Sequence, residues 1–184
     1  MKNARESIIN AAMRLFSEKG YAGCSIREIC ESAGVTKPVL YYHFRNKEQL
    51  YQELVLDIFN HTRKNLLRLE RSTGSVRERL TRFTVEEFFD TKRDPNSVRL
   101  IFRTMFSPEE GYPFYNFVEE FLRERRIIAD CIRGGSETET KADPEAMATA
   151  LMGTMLLYIL EFLFTGRRTL TQQSAKKIMD LLLP

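Results

Sequence analysis

Cysteine and histidine are scarce in this chain, and their scarcity removes several kinds of chemistry. The 184 residues include three cysteines, Cys24, Cys30 and Cys131, an odd number with no C-x-x-C pair. Neither a disulfide framework nor a cysteine-based zinc site is indicated, and a reducing cytoplasm fits. The two histidines, His43 and His61, leave no His/Cys/Asp ligand cluster. No G-x-S-x-G elbow and no P-loop is present, and Gly134-Gly135-Ser136 has the wrong context for a phosphate cradle. These absences argue against an enzyme, and nothing calls for a metal or other cofactor. β-Branched residues are sparse beside Leu, Phe and Met, which favours helices over strands. The N-terminal MKNARESII lacks an apolar signal core. The longest apolar run, Met147–Phe164, spans 18 positions and carries Thr149, Thr154 and Glu161. A bilayer needs about 20, so the run predicts a buried helix and no membrane partner.

What is present is unevenly placed. The net charge is +3, and residues 1–50 hold eight Lys/Arg against five acids, so the remaining chain is neutral. A basic end beside a neutral body suits a polyanion-binding head on a body with another task.

Helix signals follow one another along the chain. Ile8, Ala12, Leu15 and Phe16 share a face of a first helix over 4–18, which Gly20 stops. Ser25 with Glu28 forms a capping box for a second helix. Gly34 supplies the left-handed turn that follows. Thr36 is placed to cap a third helix with Pro38 in its first turn and Leu40 and Phe44 on its buried face. A long fourth helix starts near Asn46 and runs to about Glu70, linking head to body. Ser75/Glu78, Asp94-Pro95, Asp143-Pro144 and Thr171 open further helices, and another covers roughly 114–133. Ser107–Pro113 and Gly134–Lys141 read as loops. The expected fold is all-α with about nine helices: a three-helix head over residues 1–46 and a helical body over 47–184.

Two short helices with a tight turn, followed by Tyr41-Tyr42-His43-Phe44, form a helix-turn-helix pattern. The N-terminal half of such a second helix enters the DNA major groove. Lys37 can donate to guanine O6 and N7, Thr36 can donate or accept, and the carbons of Pro38 and Val39 suit a thymine methyl. Tyr41, Tyr42, His43 and Lys47 can reach phosphates, which sets register and not sequence. Arg27 is placed for the backbone or a neighbouring base.

The string G-Y-x-x-x-S-I-R-E-I-x-x-x-A-G-V-T-K-P-V-L-Y-Y-H-F-x-N-K-E-x-L, residues 20–50, resembles the TetR family of tetracycline-repressor-like bacterial regulators. The resemblance covers about the first quarter of the chain. It implies a homodimer in which each subunit carries a three-helix DNA head and an all-α ligand body. It also implies DNA contacts at Ser25, Arg27, Thr36, Lys37, Pro38, Val39, Tyr41, Tyr42, His43 and Lys47. Two positions depart from the family pattern. Pro38 stands where many relatives have Gly or Ala, giving a bulkier, stiffer groove surface, and Cys24 stands where Thr is usual.

After Leu50 no motif is recognisable, and chemistry must carry the reading. Thirteen Phe and seven Met, most of them after residue 80, suit an adaptable apolar cavity, although plain core packing is the competing role for each. The expected ligand-lining residues are Phe83, Phe88, Phe102, Arg103, Phe106, Phe117, Phe121, Met155, Tyr158 and Phe162; Phe114 belongs to the same aromatic set, while Glu86, Arg99 and Glu161 are polar candidates. Ala150, Gly153, Leu157, Glu161, Ile178 and Leu182 are expected at a subunit interface. The partners expected are palindromic double-stranded DNA, a second copy of the chain, and an apolar or aromatic small molecule that releases a repressor from its operator. A ligand-independent regulator or activator with a packed body is the alternative.

Overall fold

The computed structural model describes residues 3–106, 117–135 and 143–183. Among these residues every regular element is a helix, in the order α1 (Ala4–Lys19), α2 (Ile26–Ala33), α3 (Lys37–His43), α4 (Lys47–Arg71), α5 (Val76–Arg93), α6 (Pro95–Phe106), α7 (Phe117–Arg133), α8 (Pro144–Thr165) and α9 (Gln172–Leu182). The all-α expectation therefore holds. The loop expected at 107–113, most of that at 134–141, and Phe114 lie outside the described residues.

Local chemistry accounts for most helix ends. Asn3 Oδ1 accepts from the Arg5 N–H at the start of α1, and the Gly20 N–H donates to the Phe16 carbonyl at its end. Ser25 and Glu28 form the full reciprocal box on α2: Ser25 Oγ accepts from the Glu28 N–H at 3.2 Å, and Glu28 Oε2 accepts from the Ser25 N–H at 2.8 Å. Lys19 adds an ion pair to the same carboxylate at 2.5 Å. The Lys19 bond and the Ser25 donors hold the Glu28 carboxyl down at about 2. Gly34 ends α2 with φ 67°, the left-handed conformation that carries little steric cost without a Cβ. Asp143 caps α8 and Thr171 caps α9 through their side chains.

Contacts divide the chain into two compact units. The first takes described residues 3–60 together with 94–106; the second takes 61–93, 117–135 and 143–183. The core of the first contains Ile8, Phe16, Ile29, Leu40, Phe44, Leu50 and Leu54. It also contains Leu100 from α6, which packs on α1. Thr104 Oγ1 donates to the Leu100 carbonyl, so the Tyr51 hydroxyl donates to Thr104 in the buried pair that joins α4 to α6.

The second unit is built around α5, α7, α8 and α9, with Leu66 and Leu69 from the end of α4. α8 is long and apolar enough to cross a membrane by length and composition alone. Here its Met147, Ala148, Leu151 and Met155 join the core of the unit. In the single chain this core contact covers one side of the helix. Ala150, Gly153, Leu157 and Phe164, spaced by three, four and seven residues, form a second stripe that is exposed in the single chain.

Candidate nucleic-acid interface and the helical body

Residues 25–47 are positioned by the core beneath them. Leu40 and Phe44 are fully buried and fix the inner face of α3. The outer face is then Thr36, Lys37, Pro38, Tyr41 and Tyr42, all exposed, with Val39 and His43 partly covered. Tyr42 is 84% exposed, and its ring meets His43 edge-on at 5.0 Å between centroids. One surface thus gathers a cation, a free hydroxyl, two phenols and an imidazole. The Pro38 ring lies in the first turn, where no backbone N–H is lost from the helix.

Local hydrogen bonding distinguishes three of the expected contact residues. Thr36 occupies the N-cap of α3 but makes no side-chain cap bond, so its hydroxyl stays available to a ligand. Ser25 is the reverse case. Its hydroxyl both accepts from the Glu28 N–H and donates to Glu28 Oε2, which commits it to the cap. Arg27 is held by Glu31 at 2.7 Å on the exposed side of α2.

Sequence reasoning assigned no role to Tyr21. Lys47 Nζ lies 4.2 Å from the centroid of its ring, a cation–π contact that orients the ammonium. Tyr21 is itself propped edge-on against Tyr51 at 5.0 Å and stacked with Phe16 at 6.0 Å. The start of α4 is fixed by a reciprocal pair: Gln49 Oε1 accepts from the Arg45 N–H, and Asn46 Oδ1 accepts from the Gln49 N–H, both at 2.8 Å.

The residues expected to line a ligand cavity are divided between the two compact units. Phe102, Arg103 and Phe106 sit on α6, in the first compact unit. Arg103 Nη2 donates to the Glu18 carbonyl at 2.7 Å, which ties it to the last turn of α1. Phe106 stacks on Phe102 at 6.3 Å and is exposed. Phe83, Phe88 and Met155 are closed into the core of the second unit, with Tyr158 and Phe162 packed against it. Phe121 is exposed and Phe117 partly covered on α7.

The expected interface residues also divide. Ile178 is buried within its own chain because α9 turns that face inward. Leu182 is partly covered, while Leu181 beside it is exposed. Glu161 is partly buried and pairs with Arg167 at 3.3 Å within the chain. Glu86 lies 3.9 Å from Arg68, and Arg99 donates to Asn96.

A polar cluster in the second unit was not anticipated. Asn65 on α4 is buried, and its amide donates to Glu87 Oε1 at 2.9 Å and to Asp90 Oδ2 at 3.0 Å. Asp90 also receives His61 Nε2 at 2.5 Å and Arg93 at 3.1 Å. Burial alone would raise Asp90; the Asn65, His61 and Arg93 donors outweigh it and hold the carboxyl below its usual range. Among the described residues Glu87 receives the Asn65 amide alone, and burial pushes it up from 4.5 to about 7. Glu124 on α7 is pushed up to about 8 by burial and by the charge of Glu87.

These two raised values set the sign of a pH dependence. Both groups bind protons more tightly folded than unfolded, so the folded state is favoured below the ordinary value of 4.5. That advantage disappears as pH rises through about 7 and then about 8. Unfolding in urea at low and high pH is expected to show stability falling across this window. The Glu87→Gln/Glu124→Gln double variant is expected to flatten the fall by at least about 2 kcal/mol, because each tenfold change in proton affinity corresponds to about 1.4 kcal/mol. An unchanged slope in the variant would refute the assignment.

An α3 presented by α2 and a tight glycine turn, with cation, hydroxyl and phenols on its outer face, has the arrangement of a helix-turn-helix. Residues 8–54 match the model of the bacterial regulatory proteins of the tetR family. The HTH-type negative transcriptional regulator IcaR of the biofilm operon icaADBC in Staphylococcus epidermidis is 35% identical over 105 residues, which is 57% of this chain and 55% of IcaR. The chain thus spans about half the length of the curated relatives it matches. Among solved structures, a transcriptional regulator from Aquifex aeolicus superposes with TM-score 0.77 at 22% identity, covering 98% of this chain and all of that one. The SmeT–triclosan complex superposes with TM-score 0.73 at 19% identity, covering 98% of this chain and 90% of SmeT. Over residues 8–54 the chain is therefore similar to the DNA-binding region of the tetR family of bacterial regulatory proteins.

Proposed function

We propose that the chain is a dimeric cytoplasmic repressor that binds a palindromic operator through α3 and releases it when a small apolar molecule enters the second unit. The observation that carries the reading is the outer face of α3, where Thr36, Lys37, Pro38 and Tyr42 are exposed above a fixed core. Thr36, Lys37, Pro38 and Val39 read base edges; Tyr41, Tyr42, His43 and Lys47 anchor phosphates, Tyr21 steering the Lys47 ammonium. Ser25 and Arg27 act at the edge of the contact, Ser25 by holding α2 in place. The negative regulator IcaR supports repression, and the triclosan complex of SmeT supports a ligand-taking body. The second copy joins through the exposed stripe of α8 and Leu181 of α9, and α4 is the element that both units share.

A second reading, a ligand-independent regulator with a packed body, has one observation on its side: Phe83, Phe88 and Met155 are all closed into the core.

Two substitutions separate base reading from phosphate anchoring on a duplex that the protein itself selects from a random pool. Lys37→Ala is expected to cost about 1–3 kcal/mol and to relax discrimination at one base pair. Lys47→Ala is expected to weaken all sequences alike and to reduce the salt slope by about one. If Lys37→Ala leaves both affinity and discrimination unchanged, α3 is not the reading element.

A further inference from the structure

Lys47 opens α4, and its Nζ lies 4.2 Å from the centroid of the Tyr21 ring. Tyr21 stands past the end of α1, in the turn before α2, so the packing around its ring sets where that ring lies. Tyr51 follows Lys47 by one turn on the same face of α4. Its ring meets Tyr21 edge-on at 5.0 Å and Phe16 edge-on at 5.1 Å, while Phe16 and Tyr21 stack at 6.0 Å. Three rings thus close on one another, and the Tyr21 ring carries the ammonium.

Behind the rings lies the buried hydroxyl pair of Tyr51 and Thr104 on α6. Thr104 Oγ1 gives its own proton to the Leu100 carbonyl at 2.7 Å, so it accepts from Tyr51 and fixes the phenol along its long axis. Lys47, Tyr21, Phe16, Tyr51 and Thr104 all belong to the first unit. The core around Tyr51 does not need an oxygen there: it includes Leu50, Leu54 and Leu100, and a Phe would fill almost the same space. A buried hydroxyl contributes little net stability once bonded. What a satisfied buried pair adds is a single ring position. A lysine gives up rotamer freedom when it grips a phosphate, and an ammonium already held over a ring gives up less.

We infer that the Tyr51 hydroxyl, held by Thr104, is a positioning group for Lys47, acting through the Tyr21 ring to place the ammonium for a DNA phosphate. The inference rests on the reading of Lys47 as a phosphate anchor and adds what sets its geometry.

Tyr51→Phe tests it, because the change removes one oxygen and leaves the three rings and the Thr104 bond to Leu100. Affinity is measured by fluorescence anisotropy on the selected duplex and on an unrelated one, in the parent, Lys37→Ala and Lys47→Ala backgrounds. Tyr51→Phe is expected to weaken both duplexes about threefold in the parent and in Lys37→Ala, and to have no further effect in Lys47→Ala. The Lys47 ε-methylene protons, shielded by the Tyr21 ring in the free protein, are expected to shift downfield in the variant. Tyr51→Phe/Thr104→Val, which replaces both partners by apolar groups of similar shape, is expected to reproduce these effects with helix content and urea midpoint close to the parent's. The same loss in the Lys47→Ala background marks a general structural role and overturns the inference. Parental affinity and an unmoved Lys47 resonance in both variants also overturn it. The two readings fail separately: if Lys47→Ala weakens binding and Tyr51→Phe does not, only the positioning role falls. If Lys47→Ala changes neither affinity nor salt slope, the phosphate anchor falls and the positioning role with it.

Discussion

Leu157→Glu is expected to yield a monomer that binds its operator at least about 100-fold more weakly than the parent chain, because linking two reading heads is worth a factor of about 10²–10⁴. Leu157 is 67% exposed in the single chain, at the middle of the stripe Ala150, Gly153, Leu157 and Phe164. The spacing matches the seam of packed antiparallel or parallel helices, where knobs recur every three or four residues. Nothing lies within 4 Å of where a Gly153 Cβ would stand, so this part of the helix is open to a close approach. Phe164 is 82% exposed and Leu181 on α9 is 72% exposed, which extends the apolar surface beyond one residue. Burying one leucine of this kind contributes about 1.5–3 kcal/mol. In a twofold interface each change occurs twice, and two glutamates near the axis would add repulsion and desolvation. Sedimentation reads the oligomeric state, and fluorescence anisotropy reads operator affinity. A dimer of undiminished stability would show that α8 is not the contact.

Phe44→Ala is expected to destabilise the first unit by about 3–5 kcal/mol and to abolish specific DNA binding at growth temperature. The Phe44 side chain is fully buried and ends α3, its N–H donating to the Leu40 carbonyl at 2.9 Å. The Arg5 guanidinium lies 5.3 Å from the ring centroid and is itself tied to Glu53 on α4. Removing the ring therefore opens a cavity where α1, α3 and α4 meet. Phe44→Leu, which keeps most of the volume, is expected to cost less than about 1.5 kcal/mol. Hydrogen exchange of the 3–60 amides distinguishes local loss from global unfolding. Protection in Phe44→Ala equal to that of the parent would remove Phe44 from the support of the interface.

What the sequence made legible was local. The Ser25/Glu28 box, the Gly34 turn and the Asp143 cap each depend on residues within four positions, and each formed as expected. Residues brought together over long separations were not legible. Nothing in the order of residues announces that α6 packs on α1, that Arg103 serves the Glu18 carbonyl, or that Lys47 rests on Tyr21. Glu86 stood out from the sequence as a polar candidate, yet its neighbour Glu87 is the one turned into the interior. One residue is a rotation of about 100° around a helix, and only packing decides which of two adjacent glutamates faces inward. Ile178 shows the same limit: its apolar character fits a core or an interface equally, and the orientation of α9 chooses the core. The apolar character of α8 hid two separate stripes, one used inside the chain and one left outside.

If two copies of this chain read two half-sites through α3, the DNA they choose must carry that symmetry. Selection of duplexes from a random pool by the intact protein, followed by footprinting of the enriched sequence, reads it out. The expected result is an inverted repeat with half-site centres about one helical turn, or a multiple of it, apart, protected by a dimer. Enrichment of no sequence, or of a single half-site protected by one copy, would contradict paired reading by two α3 helices.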